Sequence, residues 1–257
     1  MNGVIEKKYG NNSIIEICFL SEELKQKIKE ELTIICHGEY ALISESSHYS
    51  FESTIKELVN YRIPDNKIKK IGAIGELLLN VMIRSFTDLE IISPFFNVEE
   101  RNVKKGFDII AIDSSNNVWI IESKAGELGQ QKNVTDKVCE RIRTAKNDLN
   151  KRLNENNSQL WLNAIKCVRS ALDDRSEKAT IVKILEKTSN CATSNDKNVV
   201  LGGTVFCMFD SKIDGTKFSN LYDFIVESHI FLDLKLIAIQ KQTYQAIFKY
   251  LCELIQE

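Results

Sequence analysis

Two apolar, β-branched runs, Phe107-Asp108-Ile109-Ile110-Ala111-Ile112 and Val118-Trp119-Ile120-Ile121-Glu122-Ser123-Lys124, flank a cluster of Ser and Asn. Such runs broken by turn residues form a β-hairpin. What constrains the chain most is the charge inside them. Asp108, Glu122 and Lys124 interrupt segments whose neighbours call for burial on both faces, and charged side chains are rarely buried unless paired or bound to a metal. Side chains two apart on a strand leave the same face, so Glu122 and Lys124 share one. Asp108 joins them only if the register pairs residues whose numbers sum to an even value. That requires an odd loop or a bulge around Ser114–Asn117, and an even loop without a bulge turns Asp108 to the opposite face.

Two carboxylates and a lysine on one face are the parts of a metal-assisted phosphodiester hydrolysis. Mg²⁺ and Mn²⁺ are hard cations that take oxygen ligands, which Asp108 and Glu122 can supply. The metal polarises the phosphorus centre and lowers the pKa of a bound water. Lys124 can position or deprotonate that water, or neutralise charge developing in the transition state. A blander account stays open, in which Glu122 and Lys124 are an ion pair at an exposed strand end and Asp108 lies near a turn. Asp113, beside the Ser/Asn cluster, reads as a turn residue, and Glu127 as solvated. Gln130 or Gln131 could reach the site from the start of the next helix.

Residues 1–65 read as a small N-terminal lobe. Ser13 to Leu20 is a strand, Ser21 starts a helix with Glu22 and Glu23 in its first turn, and Ser50 to Tyr61 is a second helix. His37 and His48 have no partner set and read as structural or surface residues. Pro64-Asp65-Asn66 marks a boundary with an N-cap signature. The helix after it is apolar on most sides, as buried helices are. It contains Gly72-Ala73-Ile74-Gly75-Glu76, where small residues permit close approach to a neighbour and Glu76 is either the rim of that contact or an extra metal ligand, direct or through water.

Leu89 to Ser93 is a short strand, Glu99 to Lys105 a charged loop, and Gly106 a tight turn into the hairpin. Asn133 to about Leu153 is a long helix, basic through Lys137, Arg141, Arg143, Lys146, Lys151 and Arg152 against Asp136, Glu140 and Asp148, with Lys137, Arg141, Arg143 and Lys146 the candidate nucleic-acid contacts. It is either a solvated face or a phosphate-backbone contact. A helical insertion at about 154–190 follows, then a strand at 199–209 in which Gly202-Gly203 suggests a bulge. A short helix, a strand at 230–239 and a terminal helix from Thr243 complete the chain. No Gly-Lys-Ser/Thr follows Gly202-Gly203, so it is no phosphate loop.

Apolar residues make up 43% and charged residues 27% of 257, which excludes global disorder. The net charge of −2 argues against coating nucleic acid by bulk charge, so a nucleic-acid enzyme here needs a local basic face or a partner that delivers substrate. Seven cysteines without CxxC or Cys/His spacing suggest neither a disulfide framework nor a zinc finger. No secretion signal and no membrane-length apolar run is read, so a cytoplasmic, reducing setting is expected.

Helix Glu76, strand Asp108 and the Glu122-Ser123-Lys124 triplet resemble the PD-(D/E)XK nuclease superfamily over about residues 66–153, with Phe107 where the superfamily's name has proline. Gly72-Ala73-Ile74-Gly75-Glu76 and Lys105-Gly106-Phe107-Asp108 resemble the HamA family, nuclease subunits of Hachiman anti-phage defence, loosely over the whole chain. The resemblance implies a Mg²⁺- or Mn²⁺-dependent DNA endonuclease held in check by a helicase partner, HamB, until phage or damaged DNA is sensed. It implies an α/β fold, a mixed central sheet flanked by helices, with a nuclease-like domain over 66–257. The alternative is a catalytically silent nucleic-acid-binding or complex-forming subunit on the same fold.

Overall fold

The computed structural model describes residues 1–96, 106–129, 133–155, 158–172, 177–190, 193–209 and 211–256. The charged loop at 99–105, Gln130, Gln131 and Cys191 lie outside the described residues. The strands are β1 (Val4–Tyr9), β2 (Asn12–Ile17), β3 (Glu90–Ile91), β4 (Ile109–Ile112), β5 (Val118–Glu127), β6 (Asn198–Phe206) and β7 (Asp233–Lys241). They form one mixed sheet in the order β1-β2-β7-β6-β5-β4-β3. Its middle, β2, β7, β6 and β5, is parallel, and an antiparallel strand or hairpin finishes each side. Parallel strands are buried on both faces, which is why β6 and β7 read as near-continuous apolar runs.

The helices are α1 (Glu22–His37), α2 (Tyr40–Ile43), α3 (Phe51–Glu57), α4 (Lys67–Phe86), α5 (Val134–Asn154), α6 (Ser158–Ala171), α7 (Glu177–Ser189), α8 (Gly215–Glu227) and α9 (Tyr244–Glu253). Their starts follow from capping: Ser21 Oγ accepts from Leu24 N at 3.2 Å, Asn66 Oδ1 from Lys69 N at 3.2 Å and Asn133 Oδ1 from Asp136 N at 2.8 Å, each satisfying an amide the helix leaves unpaired. Helices α1, α3, α4 and α9 bury their apolar stripes against one sheet face, with Trp119, Ile121, Val200 and Ile237. Helices α5 to α8 cover the other, with Ile110, Ile120, Val199 and Leu201. Among the described residues no helix is long and apolar enough to cross a membrane.

Several expectations change. Strand β1 escapes the sequence because it is a sheet edge carrying three consecutive charges, Glu6-Lys7-Lys8, and shows no apolar alternation. It joins β2 through Gly10, at φ +60°. Residues 1–65 add β1 and β2 to the common sheet and α1 and α3 to the same core as α4, so the boundary at 65 does not divide the hydrophobic core. Gly202-Gly203 forms no bulge, since the register runs unbroken through both on either side. These glycines instead admit helices. A Cβ on Gly202 would stand 2.4 Å from Leu79 Cδ2 of α4, and one on Gly203 would stand 2.8 Å from Ile142 Cγ1 of α5. Likewise Gly75 lets α4 approach the sheet, where a Cβ would stand 2.4 Å from Ala125 Cβ.

Candidate active site

The hairpin has the register the site requires. Ile109 pairs with Ile121 and Ile112 with Val118, so paired numbers sum to an even value across the odd loop Asp113–Asn117. Asp113 holds that loop. Its carboxylate accepts from the Ser115 and Asn117 amides, both at 2.9 Å, and from the Trp119 indole at 3.0 Å, while Asn116 takes φ +61°. These bonds identify Asp113 as the turn residue expected. Asp108 stands just before the first ladder pair, Ile109 with Ile121, and its Oδ2 accepts from Ser123 N at 2.8 Å. The structure thus brings Asp108, Glu122 and Lys124 to one cleft.

Helix α5 closes the cleft. Asp148, Lys151, Arg152 and Glu155 face it from successive turns. Lys124 Nζ lies 2.6 Å from Glu122 Oε1 and 3.2 Å from Asp148 Oδ2. Arg152 donates to Glu122 Oε2 and, from Nη1, to the Gly106 carbonyl at 3.0 Å. Gly106 was expected to make a tight turn. What it contributes to the cleft is this carbonyl.

Glu122 is 1% exposed. Burial and the neighbouring charge of Asp108 push its carboxyl up to about 7, against the opposing pull of Arg152 and Lys124. Burial works against the Lys124 ammonium, but Glu122, Asp108 and Asp148 outweigh it and hold it above the ordinary lysine range. Lys124 is therefore a cation at neutral pH, suited to stabilising charge or orienting a water and unsuited to removing a proton.

Glu76 is not among the residues that line this cleft. It sits on α4, which packs through Gly75 onto Ala125. Ala125 follows Lys124 on β5 and points the opposite way, so at Gly75 α4 packs on the sheet face away from the Glu122 and Lys124 side chains. The four basic residues of α5 also divide. Lys137 and Arg141 lean over Gly126, on the strand face of Glu122 and Lys124, where a Cβ would stand 3.4 Å from Lys137 Cε and 3.5 Å from Arg141 Cδ. Both pair with Glu140. Arg143 is exposed and Lys146 half-buried on another side of the helix. Sequence reasoning counted Arg152 among the helix's basic residues and Asp148 among its acids, but missed both as neighbours of Glu122 and Lys124. The available signal was their helical spacing with Lys137 and Arg141, which puts all four on one stripe.

Among the described residues no group of three His, Cys, Asp or Glu side chains converges as a metal cage. Asp108 and Glu122 nonetheless fit a hard cation. They are two oxygen-donor carboxylates close enough to repel, a repulsion that adds to burial in raising the Glu122 carboxyl, and Mg²⁺ commonly takes only one or two carboxylates besides water and substrate phosphate.

A protein-family model described as HamA matches residues 6–253, nearly the whole chain. No curated protein matches it.

Proposed function

This chain belongs to the HamA family, whose role is Hachiman anti-phage defence, and we propose that it fills that role as a Mg²⁺- or Mn²⁺-dependent deoxyribonuclease. The observation that carries the reading is the buried Glu122 beside Asp108, with Lys124 Nζ at 2.6 Å. Asp108 and Glu122 would hold the cation, which supplies Lewis-acid polarisation of the phosphate and a more acidic water. The residues of the chain do the rest. Lys124 stays protonated and neutralises charge developing on the phosphorane oxygens, or orients the attacking water. Ser123 N fixes the Asp108 carboxylate, and Asp148 steadies the Lys124 ammonium. Lys137 and Arg141, farther along the same strand face, are suited to the flanking backbone phosphates. The cleft is lined by Asp108, Glu122, Asp148 and Glu155 against Lys124, Lys151 and Arg152, too balanced to draw DNA by charge alone. That balance supports delivery of substrate by a helicase partner.

The test is cleavage of plasmid and linear DNA by the chain, alone and with its partner helicase, in Mg²⁺, Mn²⁺ or EDTA. Metal-dependent cleavage should fall by about 100-fold or more in Lys124→Ala and Glu122→Gln. Cleavage that survives both substitutions refutes the assignment. The engagement of both Glu122 oxygens by Lys124 and Arg152 favours a second reading, a silent complex-forming subunit. That reading predicts no Mn²⁺ binding at Asp108 and Glu122.

A further inference from the structure

The Glu122 carboxylate already has a full set of cationic partners, and one of them can leave. Lys124 meets Oε1 and Arg152 meets Oε2. Through Nη1 the same guanidinium reaches the Gly106 carbonyl at 3.0 Å, so it spans the gap between β5 and the backbone that enters β4 just ahead of Asp108. Lys124 and Arg152 between them engage both Glu122 oxygens, so a divalent cation shared with Asp108 would compete with one of these two side chains. Glu122 is buried, at 1% exposure. Arg152 stands on the last turn of α5 with its side chain 29% exposed. Two carboxylates lie within its reach, Asp148 four residues before it on α5 and Glu155, the residue that caps α5, three after it, the spacings at which side chains meet. They now pair with Lys124 and Lys151, and the guanidinium would share them.

We propose that Arg152 is a resident cation that holds Glu122 closed, and that metal loading and release of the Arg152 guanidinium are a single exchange. The inference rests on the metal-site reading above and adds a regulatory step to it. In the exchange one charge-assisted hydrogen bond at Glu122 Oε2 breaks and a metal–oxygen contact replaces it. The freed guanidinium carries its five donors into the cleft, where a phosphate would next be met bidentately. Apparent metal affinity is thereby lowered by the strength of the lost pair, roughly ten- to a hundredfold.

The full chain is titrated calorimetrically with Mn²⁺, wild type beside Arg152→Ala. Removing Arg152 also strips a cation from Glu122 and favours its protonation, so titrations at about pH 7 and about pH 8.5 separate proton competition from guanidinium competition. Arg152→Ala should bind Mn²⁺ at least about tenfold tighter at the higher pH. In parallel, the Nε–Hε resonance of Arg152 in the ¹⁵N-labelled wild type, identified by its loss in Arg152→Lys, should move to the position of a solvated guanidinium as Mg²⁺ saturates. This second measurement stands even if the alanine variant misfolds. Equal or weaker Mn²⁺ binding by Arg152→Ala, or an Arg152 signal unmoved by saturating Mg²⁺, overturns the exchange and leaves the metal site intact. Absence of binding in wild type and variant alike removes the metal site itself, and the exchange with it.

Discussion

Asp113 and Glu122 belong to the same hairpin, and their surroundings push them in opposite directions. Burial works to raise the Asp113 carboxyl, but hydrogen bonds from Trp119, Asn117 and Ser115 outweigh it and hold it below the usual carboxylate range. Its stabilising bonds are therefore fully present above the unfolded value and lost as pH falls through the lower folded value. Glu122, raised to about 7, has the reverse sign. The folded chain binds its proton more tightly than the unfolded chain does, so its contribution to stability falls as pH rises from the ordinary glutamate value to about 7. Thermal melts should accordingly show Glu122→Gln gaining on wild type between pH 5 and pH 8, and Mn²⁺ affinity of the wild type should climb through about pH 7. A flat difference in melting would mean Glu122 is not raised. Asp113→Ala should cost about 1–3 kcal/mol in denaturant unfolding and leave Mn²⁺ affinity unchanged, because its carboxylate serves the loop alone. The chemistry of these residues was legible as residue type and spacing two apart on a strand. The parity that admits Asp108 was not, since the Ser/Asn cluster locates a turn without fixing its length.

At the scale of elements, the contact of α4 with the sheet rests on Gly75 over Ala125. Gly75→Ala places two methyl carbons 2.4 Å apart, with a strand backbone behind one of them, and overpacking of this kind costs about 1–3 kcal/mol. The double variant Gly75→Ala/Ala125→Gly exchanges the methyl across the interface and should recover most of that loss. Equal melting of the single and double variants would show that the helix simply shifts. The small residues around Gly75 announced a close approach in the sequence. They did not say to which sheet face, and that face decides the fate of Glu76. A helix bearing an acid can serve a strand only from the side to which the strand's side chains point. The stripe of α5 carrying Arg152 and Asp148 was likewise written in the spacing, but helical charge of either sign is common on solvated faces. Only the hairpin opposite gives it a role. The Gly202-Gly203 pair misled for a related reason, because glycine in a strand marks either a bulge or a close neighbour, and the sequence does not show which helices lie above and below.

In the whole molecule the two helical layers are held by one sheet, and residues 1–65 supply its β1–β2 side. Strand β2 pairs in parallel with β7 over Ser13–Ile17, and Leu24, Ile28 and Leu32 of α1 share a core with Leu77 and Leu78 of α4. A fragment of residues 66–257 would expose the β7 edge and the α4 core face. It should lack a cooperative melt and elute as aggregate on size exclusion, whereas a sharp transition of its own would restore the N-terminal residues as a separable lobe. The α/β class and most elements were legible because periodicity, caps and turn residues are local signals. The unity of the sheet was not, because the pairing of β2 with β7 joins segments more than two hundred residues apart. Family membership supplies the defence setting, and the hairpin supplies the proposed chemistry. The claim that joins them is a cation between Asp108 and Glu122. Crystals soaked in Mn²⁺ test it by anomalous diffraction. The account predicts a single strong peak at about 2.0–2.2 Å from an oxygen of each carboxylate, absent from Glu122→Ala crystals. A cleft without manganese, or a peak that persists in the variant, would contradict it.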